Sequence, residues 1–284
     1  MTACDFHLHT TFSDGKNTPE EMVLAAIRRG FDTVGFSDHS YTAFDESWCM
    51  PKNRISDYRA EIARLGKKYS GQINILCGIE QDICSDESLE GYDYAIGSVH
   101  YVKAKERYFQ IDESAAATAK AVQCGFGGDP LSLAEAYFAS VAEFADDPAI
   151  GIVGHFDLIT KFCEQAPIFD EDDPRYKKAW QSAADRLIAA GKCFEINTGA
   201  ISRGYRTSPY PSERIISYLI EKEARLILSS DSHSRDNIGF GFDAVEGKYG
   251  DKLRISTPDI VSQISVVPSK TSLVSPESTI PSSR

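Results

Sequence analysis

The six histidines of this 284-residue chain all lie in short segments that also contain Asp, Ser or Gly. Two of them, His7 and His9, alternate in the segment DFHLHTTFSDG. The other segments are GFSDHS with His39, GSVHY with His100, VGHFD with His155 and SSDSH with His233. Imidazole is the commonest metal-ligand side chain, and carboxylates are its usual partners at hydrolytic sites. The sequence therefore predicts an enzyme that binds more than one metal ion.

The spacing of these residues supports the same interpretation. Side chains two positions apart in an extended chain lie on the same side, so His7 and His9 could chelate one ion. Asp231 and His233 repeat this spacing after an apolar segment. Glu80 ends another apolar segment, INILCGIE, where a carboxylate is costly to bury unless a cation or a metal ion pairs with it. Each feature alone also has a structural explanation, but together they indicate one shared site.

The elements that would position these residues alternate between strand and helix. Short apolar segments without polar alternation are typical of parallel strands buried on both faces. They predict strands over residues 3–7, 33–37, 73–80, 94–99, 150–155, 193–197 and 225–230.

Five helices are predicted between these strands. Thr18-Pro19-Glu20-Glu21 combines a capping box with Pro at the first helical position, and Gly30 stands where that helix would end. Apolar residues spaced three and four apart predict a second helix over 55–69, and Asp129-Pro130 begins a third. Two more helices are predicted over 173–190 and 211–223.

This order of elements indicates a parallel α/β architecture, either a closed barrel or an open sheet. In an open sheet, ligand contacts concentrate at the point where the strand order reverses. In a barrel, the carboxyl ends of all strands meet at one mouth. Polar residues stand at or just beyond the carboxyl end of all seven predicted strands, so the pattern favours a barrel.

Composition excludes several classes of protein and partner. The chain has no run of 18 apolar residues and no basic segment followed by an apolar one at its start, so neither a membrane span nor a secretory signal is predicted. Its seven cysteines contain no C-x-x-C and are typical of reduced thiols in the cytoplasm. A net charge of −12 argues against a nucleic-acid partner and leaves a small phosphorylated substrate open. The oligomeric state is not determined by these features.

The last thirty residues differ from the rest. Within 255–284, 16 residues are Ser, Thr or Pro, and no strong periodicity is present. Such a segment buries little apolar surface. We therefore predict one domain over 1–254 and a loose tail over 255–284.

Taken in order, the motifs resemble those of the PHP (polymerase and histidinol phosphatase) superfamily, and closely those of its histidinol-phosphatase branch. They are D-x-H-x-H-T with S-D-G, then S-D-H, G-I-E, G-S-V-H, G-H-x-D and S-D-S-H, and they extend over roughly residues 3–243. The segment EINTGAISRGYRTSPYPS resembles the branch's sixth-strand loop. The resemblance implies a distorted TIM-like (β/α)7 barrel, in agreement with the strand count, and three metal ions.

Carried over motif by motif, the resemblance also implies the ligands of each ion. The first ion would be held by His7, His9, Glu80 and Asp231, the second by Glu80, His100 and His155, and the third by Asp14, His39 and His233. Glu80, Asp231 and His233 are the ligands assigned to catalysis. Nitrogen and oxygen ligands without a thiolate suit Zn²⁺, Mn²⁺ or Fe²⁺ and do not decide among them.

The activity implied by the resemblance is hydrolysis of a small phosphate monoester, L-histidinol phosphate, by metal-activated hydroxide, in histidine biosynthesis. Arg203 and Arg206 could each bind the phosphate through two parallel hydrogen bonds, and Lys161 is a weaker candidate. A solvated surface arginine is the alternative for Arg203. The alternative functions are a phosphoesterase acting on nucleotides or oligonucleotides and a metal-binding module without catalytic activity.

Three details of the site and of the chain's end stay open. Asp5 and Asp38, close to ligand histidines, could orient the imidazole rings or could be ordinary hydrogen-bond acceptors at strand ends. Asp14 lies in a Ser-Asp-Gly turn, where a turn-forming residue is also common. After the last motif, Gly247-Lys-Tyr-Gly250 stands where the family's phosphatases have regular structure, so no clear final helix is expected.

Overall fold

A computed structural model describes residues 4–250 of the chain. The predicted tail over 255–284, and with it the predicted domain boundary at residue 254, lies outside the described residues.

Seven parallel strands form one sheet whose spatial order follows the chain. They are β1 (Cys4–Asp5), β2 (Thr33–Phe36), β3 (Asn74–Asp82), β4 (Tyr94–Ser98), β7 (Ile152–Val153), β8 (Cys193–Asn197) and β9 (Arg225–Ser229). All seven predicted strands are confirmed: β8 has the predicted bounds, and no end of the others differs from its prediction by more than two residues. Most of their side chains are buried, as expected for strands covered on both faces.

A backbone bridge just beyond β1 and β9 closes this sheet into a barrel. Leu8 pairs in parallel with Ser232. The His9 amide donates to the Ser232 carbonyl at 2.9 Å, and the Ser232 amide donates to the His7 carbonyl at 3.1 Å. The predicted (β/α)7 barrel is therefore confirmed, and its closing contact lies among the ligand-type residues themselves.

Six apolar residues plug the barrel interior, and they form a cluster separate from the main core: Phe6, Tyr94, Ile96, Ile152, Cys193 and Ile227. The Tyr94 ring occupies space left by two glycines, since a Cβ at Gly35 or Gly78 would collide with it.

Eight α-helices occur in the described part of the chain. They are α1 (Pro19–Arg28), α2 (Ile55–Lys68), α3 (Ala115–Gly125), α4 (Pro130–Glu143), α5 (Pro174–Ala189), α6 (Gly199–Ser202), α7 (Glu213–Glu221) and α8 (Phe242–Tyr249). The five predicted helices are confirmed, and the capping box at Thr18 and Glu21 is formed as expected. No helix within residues 4–250 has the length and apolar character needed to cross a membrane.

Helices α3, α6 and α8 and one hairpin were not predicted. The expectation that no clear helix follows the last motif was wrong, since α8 packs Val245 and Tyr249 into the core. The hairpin is formed by β5 (Tyr101–Ala104) and β6 (Arg107–Gln110), and it begins directly after His100. Its turn residues, Lys105 and Glu106, both have positive φ angles, 51° and 59°. The Asn-Gly or Asp-Gly signal that usually marks such a turn is missing, so the sequence did not reveal it.

Candidate metal centre

The nine predicted ligand residues converge on the carboxyl-end mouth of the barrel. They are His7, His9, Asp14, His39, Glu80, His100, His155, Asp231 and His233. Seven of them are buried, whereas the Asp14 and His233 side chains are 34% and 21% exposed. The mouth therefore has a closed inner part and one edge that is open to solvent.

Glu80 occupies the centre of this group, and its two oxygens face different histidines. Oε1 lies 2.9 Å from Nε2 of His155 and 3.5 Å from Nε2 of His100. Oε2 lies 2.7 Å from Nδ1 of His39 and 3.3 Å from Nε2 of His7. Glu80 is therefore shared by two groups of residues that could each hold an ion, one with His7 and His155 and one with His39 and His100.

Asp231 lies two residues beyond the end of β9 and faces His7 and His9. Its Oδ1 lies 3.3 Å from Nε2 of His9 and 3.9 Å from Nε2 of His7. The Asp231 backbone has a φ of 45°, in the left-handed region that residues other than glycine seldom adopt. Strained backbone of this kind concentrates at functional sites, where the surrounding contacts hold it in place.

Asp14 lies at the solvent-exposed edge. Its Oδ2 is 3.2 Å from Nε2 of His233, and its Oδ1 is 3.6 Å from Nε2 of His39. The His39 ring therefore has one nitrogen toward Glu80 and the other toward Asp14. Asp14 is thus more than a turn residue, because it faces the rings of two histidines.

The donor set fits metal ions for a physical reason. Several of its buried atoms, among them Nε2 of His7, both ring nitrogens of His9 and Oε2 of Glu80, have no hydrogen-bond partner within residues 4–250. Buried polar atoms without partners are costly, and coordination of a cation would satisfy them together. Four overlapping groups of three or four residues could each hold an ion: His9 with Asp14, His39 and His233; His7 with Glu80 and His155; His7 with His9 and Asp231; and His39 with Glu80 and His100. The site can therefore hold several metal ions, and the division into three ligand sets stays a prediction.

The electrostatics of the site keep its two central carboxylates ionised. Burial by itself would raise the pKa of Glu80, but the imidazoles of His39 and His7 lower it well below its usual range. Burial likewise opposes ionisation of Asp231, but the Arg203 guanidinium lowers the pKa of Asp231 well below its usual range. Both side chains are therefore anionic and able to balance the charge of bound cations.

Glu195 holds two of the histidine-bearing loops and was not predicted. This buried residue of β8 has Oε1 2.7 Å from Nδ1 of His7. Its Oε2 accepts hydrogen bonds from the backbone amide of His155 at 3.1 Å and from Nδ2 of Asn197 at 3.2 Å. Donation from Nδ1–H of His7 to Oε1 of Glu195 fixes the ring so that Nε2 of His7 faces Glu80.

Asp82 does the same for His100. Its Oδ2 lies 3.0 Å from Nδ1 of His100 and also accepts the His100 backbone amide at 3.1 Å. One feature of the sequence could have revealed Glu195 and Asp82. In otherwise apolar strands, Glu80 and Asp82 are two positions apart, and so are Glu195 and Asn197. Such spacing places both members of each pair on one face.

Asp5 and Asp38 accept hydrogen bonds from strand ends and loops and do not contact an imidazole ring among the described residues. Asp5 accepts the amides of Ser230 at 3.1 Å and Gly239 at 3.2 Å, and burial raises its pKa to about 6. Asp38 accepts both the amide and the hydroxyl of Thr10 at 2.8 Å. The interpretation that they orient histidine rings was wrong, and the alternative is confirmed.

Arg203 lies on the cavity wall but is already paired. Nη2 lies 3.0 Å from Oδ2 of Asp231, and Nη1 donates to the Asp231 carbonyl at 2.6 Å. Gly199 allows this approach, since a Cβ there would lie 2.9 Å from both Nη2 of Arg203 and Cβ of Asp231. The structure therefore connects Arg203 to a predicted ligand, and its contact with phosphate stays a prediction.

The other two predicted substrate contacts differ from each other. Arg206 is buried, and it lies outside the set of described residues that line the cavity. Its guanidinium donates to the Thr160 hydroxyl and lies 4.7 Å from the centre of the Tyr210 ring. Contacts with another loop therefore turn Arg206 inward, and its binding of phosphate stays a prediction without support from this position. Lys161 does line the cavity, but its ammonium group donates to Asp112.

Seven of the nine predicted ligands, all except His7 and His9, border a cavity of about 220 Å³. The remaining wall comes from loops and the β5–β6 hairpin, through Trp48, Gln110, Asp112, Leu158, Lys161 and Tyr205. The cavity therefore has a wall of metal-ligand type and a wall of mixed aromatic and polar character. This arrangement suits a small ligand with two chemically different ends.

Comparisons with known proteins agree with this arrangement. A family model described as the PHP domain matches residues 5–199. A protein of Deinococcus radiodurans named probable histidinol-phosphatase is 30% identical over 258 residues, which cover 86% of this chain and 91% of the relative. A candidate histidinol phosphatase from Listeria monocytogenes superposes with a TM-score of 0.72 at 22% identity, covering 85% of this chain and 99% of that chain.

A second solved structure was determined with ligands. It is the histidinol phosphate phosphatase of Lactococcus lactis, complexed with zinc, L-histidinol and phosphate. It superposes with a TM-score of 0.62 at 16% identity, covering 88% of this chain and 94% of that chain. At these identities the two solved structures establish the fold.

Proposed function

Because the chain belongs to the PHP domain family, we propose that it hydrolyses L-histidinol phosphate to L-histidinol and phosphate in a metal-dependent reaction. The observation that carries this proposal is the position of Glu80, whose two oxygens face two sets of histidines beside a small cavity. The Deinococcus relative has the corresponding name, and the Lactococcus structure contains the two products of this reaction together with zinc.

The nine residues at the barrel mouth would hold the ions, with Glu80 as the bridging ligand. When bound, divalent ions stabilise the charge on phosphate oxygens and lower the pKa of water, so that a nucleophile is available at neutral pH. In the overall step, the oxygen of water forms a bond to phosphorus, the bond between phosphorus and the alkoxide oxygen breaks, and the alkoxide takes up a proton.

The other residues of the site prepare this reaction by fixing geometry. Glu195 and Asp82 hold the rings of His7 and His100 so that their Nε2 atoms face Glu80. Arg203 holds Asp231 through its carboxylate and its carbonyl. Because catalysis of phosphate transfer depends on preorganised charge, we assign Arg203 to the positioning of Asp231.

A panel of phosphate-release assays tests the proposed function. The metal-replete protein would be given L-histidinol phosphate, 4-nitrophenyl phosphate, mononucleotides and a short oligonucleotide, with a metal-stripped sample as control. We expect the highest kcat/KM for L-histidinol phosphate and loss of activity in the stripped sample. A preference for nucleotides or oligonucleotides would show that these, and not L-histidinol phosphate, are the substrates. Inactivity toward all four compounds would indicate a metal-binding module without catalytic activity.

A further inference from the structure

Asp112 belongs to the cavity wall of mixed aromatic and polar residues, which differs in character from the wall of metal-ligand type. It follows β6 by two residues, so the unpredicted hairpin positions it. Among the described residues that line the cavity, it is the only carboxylate outside the nine predicted metal ligands. Its side chain is 18% exposed. This carboxylate has no part in the metal chemistry proposed above.

One carboxylate oxygen of Asp112 accepts a hydrogen bond from Lys161, and the other has no partner among the described residues. Nζ of Lys161 donates to the Asp112 backbone carbonyl at 2.8 Å and to Oδ2 at 3.3 Å. Oδ1 is shielded from solvent and has no hydrogen-bond partner within residues 4–250. A carboxylate whose acceptors are only partly used is costly to bury, so Asp112 retains acceptor capacity that Lys161 does not satisfy.

Asp112 is also charged. Burial opposes ionisation, but the nearby Lys161, His100 and His155 lower the pKa of Asp112 below its usual value. Lys161 compensates this charge on one side, and a primary ammonium group would add three donors and a second positive charge on the side of the cavity. The chemistry of this position therefore suits an aliphatic ammonium group.

We propose that Asp112 selects phosphate monoesters that carry an ammonium group, by accepting a hydrogen bond from that group at the part of its carboxylate that borders the cavity. The inference rests on the proposed function, because it places the phosphate at the metal centre and the organic end of the substrate against the hairpin wall. L-Histidinol phosphate has a primary amino group that is protonated at neutral pH. Lys161 is then a positioning residue that holds the Asp112 carboxylate through Oδ2.

The test compares two substrates in two proteins. The substrates are L-histidinol phosphate and its analogue without the amino group, 3-(imidazol-4-yl)propyl phosphate. Wild-type protein should prefer the amino-bearing substrate by about 10- to 100-fold in kcat/KM, the range expected for a hydrogen bond to a charged group. In Asp112→Asn this preference should fall to near unity, through loss of activity on the amino-bearing substrate alone.

Two controls separate this role from others. Glu113→Gln removes the same charge from the neighbouring exposed residue and should keep the wild-type preference. Activity of Asp112→Asn on 4-nitrophenyl phosphate, and its metal content, should stay within about twofold of wild type, as for a substitution that leaves the metal centre intact.

The results that would contradict the role of Asp112 differ from those that would contradict the proposed function. Wild-type protein that hydrolyses 4-nitrophenyl phosphate but not L-histidinol phosphate would overturn the proposed function. Efficient hydrolysis of L-histidinol phosphate with an unchanged preference in Asp112→Asn would overturn only the role of Asp112. Loss of metal in Asp112→Asn would also overturn that role, in favour of a metal ligand. If the variant does not fold, equal wild-type rates on the two substrates decide against the proposal.

Discussion

Replacing Glu195 by glutamine changes one charge and almost no volume, at a residue that is fully buried beneath the metal centre. Both carboxylate oxygens accept hydrogen bonds, one facing the His7 ring and the other facing the His155 amide and Asn197. A glutamine side chain has only one acceptor oxygen. The Glu195→Gln variant must therefore present its amide to one of these partners.

Either orientation of that amide disturbs the site. If the amide faces Asn197 and the His155 backbone, donor groups oppose donor groups within the core. If it faces His7, Nδ1 must become an acceptor, and the proton moves to Nε2, the nitrogen that lies 3.3 Å from Glu80. A protonated Nε2 cannot coordinate a metal ion.

The magnitude follows from these contacts. Loss of a hydrogen bond between a charged group and a buried partner costs about 2 kcal/mol. This corresponds to about a 30-fold loss in metal affinity, since each 1.4 kcal/mol is about tenfold. The value lies within the roughly 10- to 100-fold effects observed when a residue that orients a metal-ligating histidine is removed.

The assay is competition with a coloured chelator, which measures metal affinity, together with kcat on L-histidinol phosphate at saturating metal. Glu87→Gln is the control, because the half-buried Glu87 also accepts two hydrogen bonds, from the Tyr41 amide and the Tyr92 hydroxyl, and is not among the residues that line the cavity. Wild-type metal affinity in a folded Glu195→Gln protein would refute the reasoning. Equal losses in the two variants would do the same, since they would reflect general destabilisation.

Three further substitutions or treatments test other parts of the site. Asp231→Asn should lower kcat on the order of 10²-fold or more, measured in metal-replete buffer, because it removes an anionic ligand candidate that Arg203 holds in place. Arg203→Ala should lower kcat about tenfold or more with a smaller change in KM. Arg203→Lys should recover only part of this loss, because one ammonium group cannot donate to both the carboxylate and the carbonyl of Asp231. A rise in KM alone would instead indicate that Arg203 contacts phosphate. Removal of metal by a chelator should abolish phosphate release and lower Tm, measured by calorimetry. Without bound ions, the buried atoms of His9 and Glu80 have no partner that offsets the cost of burying them. An unchanged Tm would argue against a structural contribution of the ions.

Much of the barrel could be predicted because its signals are local. Apolar segments, caps and glycines specify strands and helices over five to fifteen residues, and the capping box at Thr18 formed as its sequence indicates. The ligand-type residues were also visible, since pairs such as His7 with His9 and Asp231 with His233 lie two positions apart. Their strand-end placement in the sequence was enough to infer that they meet.

Contacts between distant segments could not be predicted in the same way. Arg203 and Arg206 lie three residues apart in one loop, yet one faces Asp231 and the other turns into the protein. Nothing in the local pattern separates them, because the difference arises from what the loop packs against. The hairpin that carries Asp112 was missed for a related reason, since its turn uses Lys105 and Glu106 in a conformation that their residue types do not favour.

The sequence by itself therefore determined which residue types could bind metal and the order of strands that brings them to one mouth. The tertiary structure decided how each of these residues is oriented: which nitrogen of His7 faces Glu80, which carboxylate holds its ring, and which oxygen of Asp112 lacks a partner. The physical reason is that propensity and periodicity act between neighbours in the chain. Hydrogen bonds such as that between His7 and Glu195, 188 residues apart, exist only after the barrel has closed.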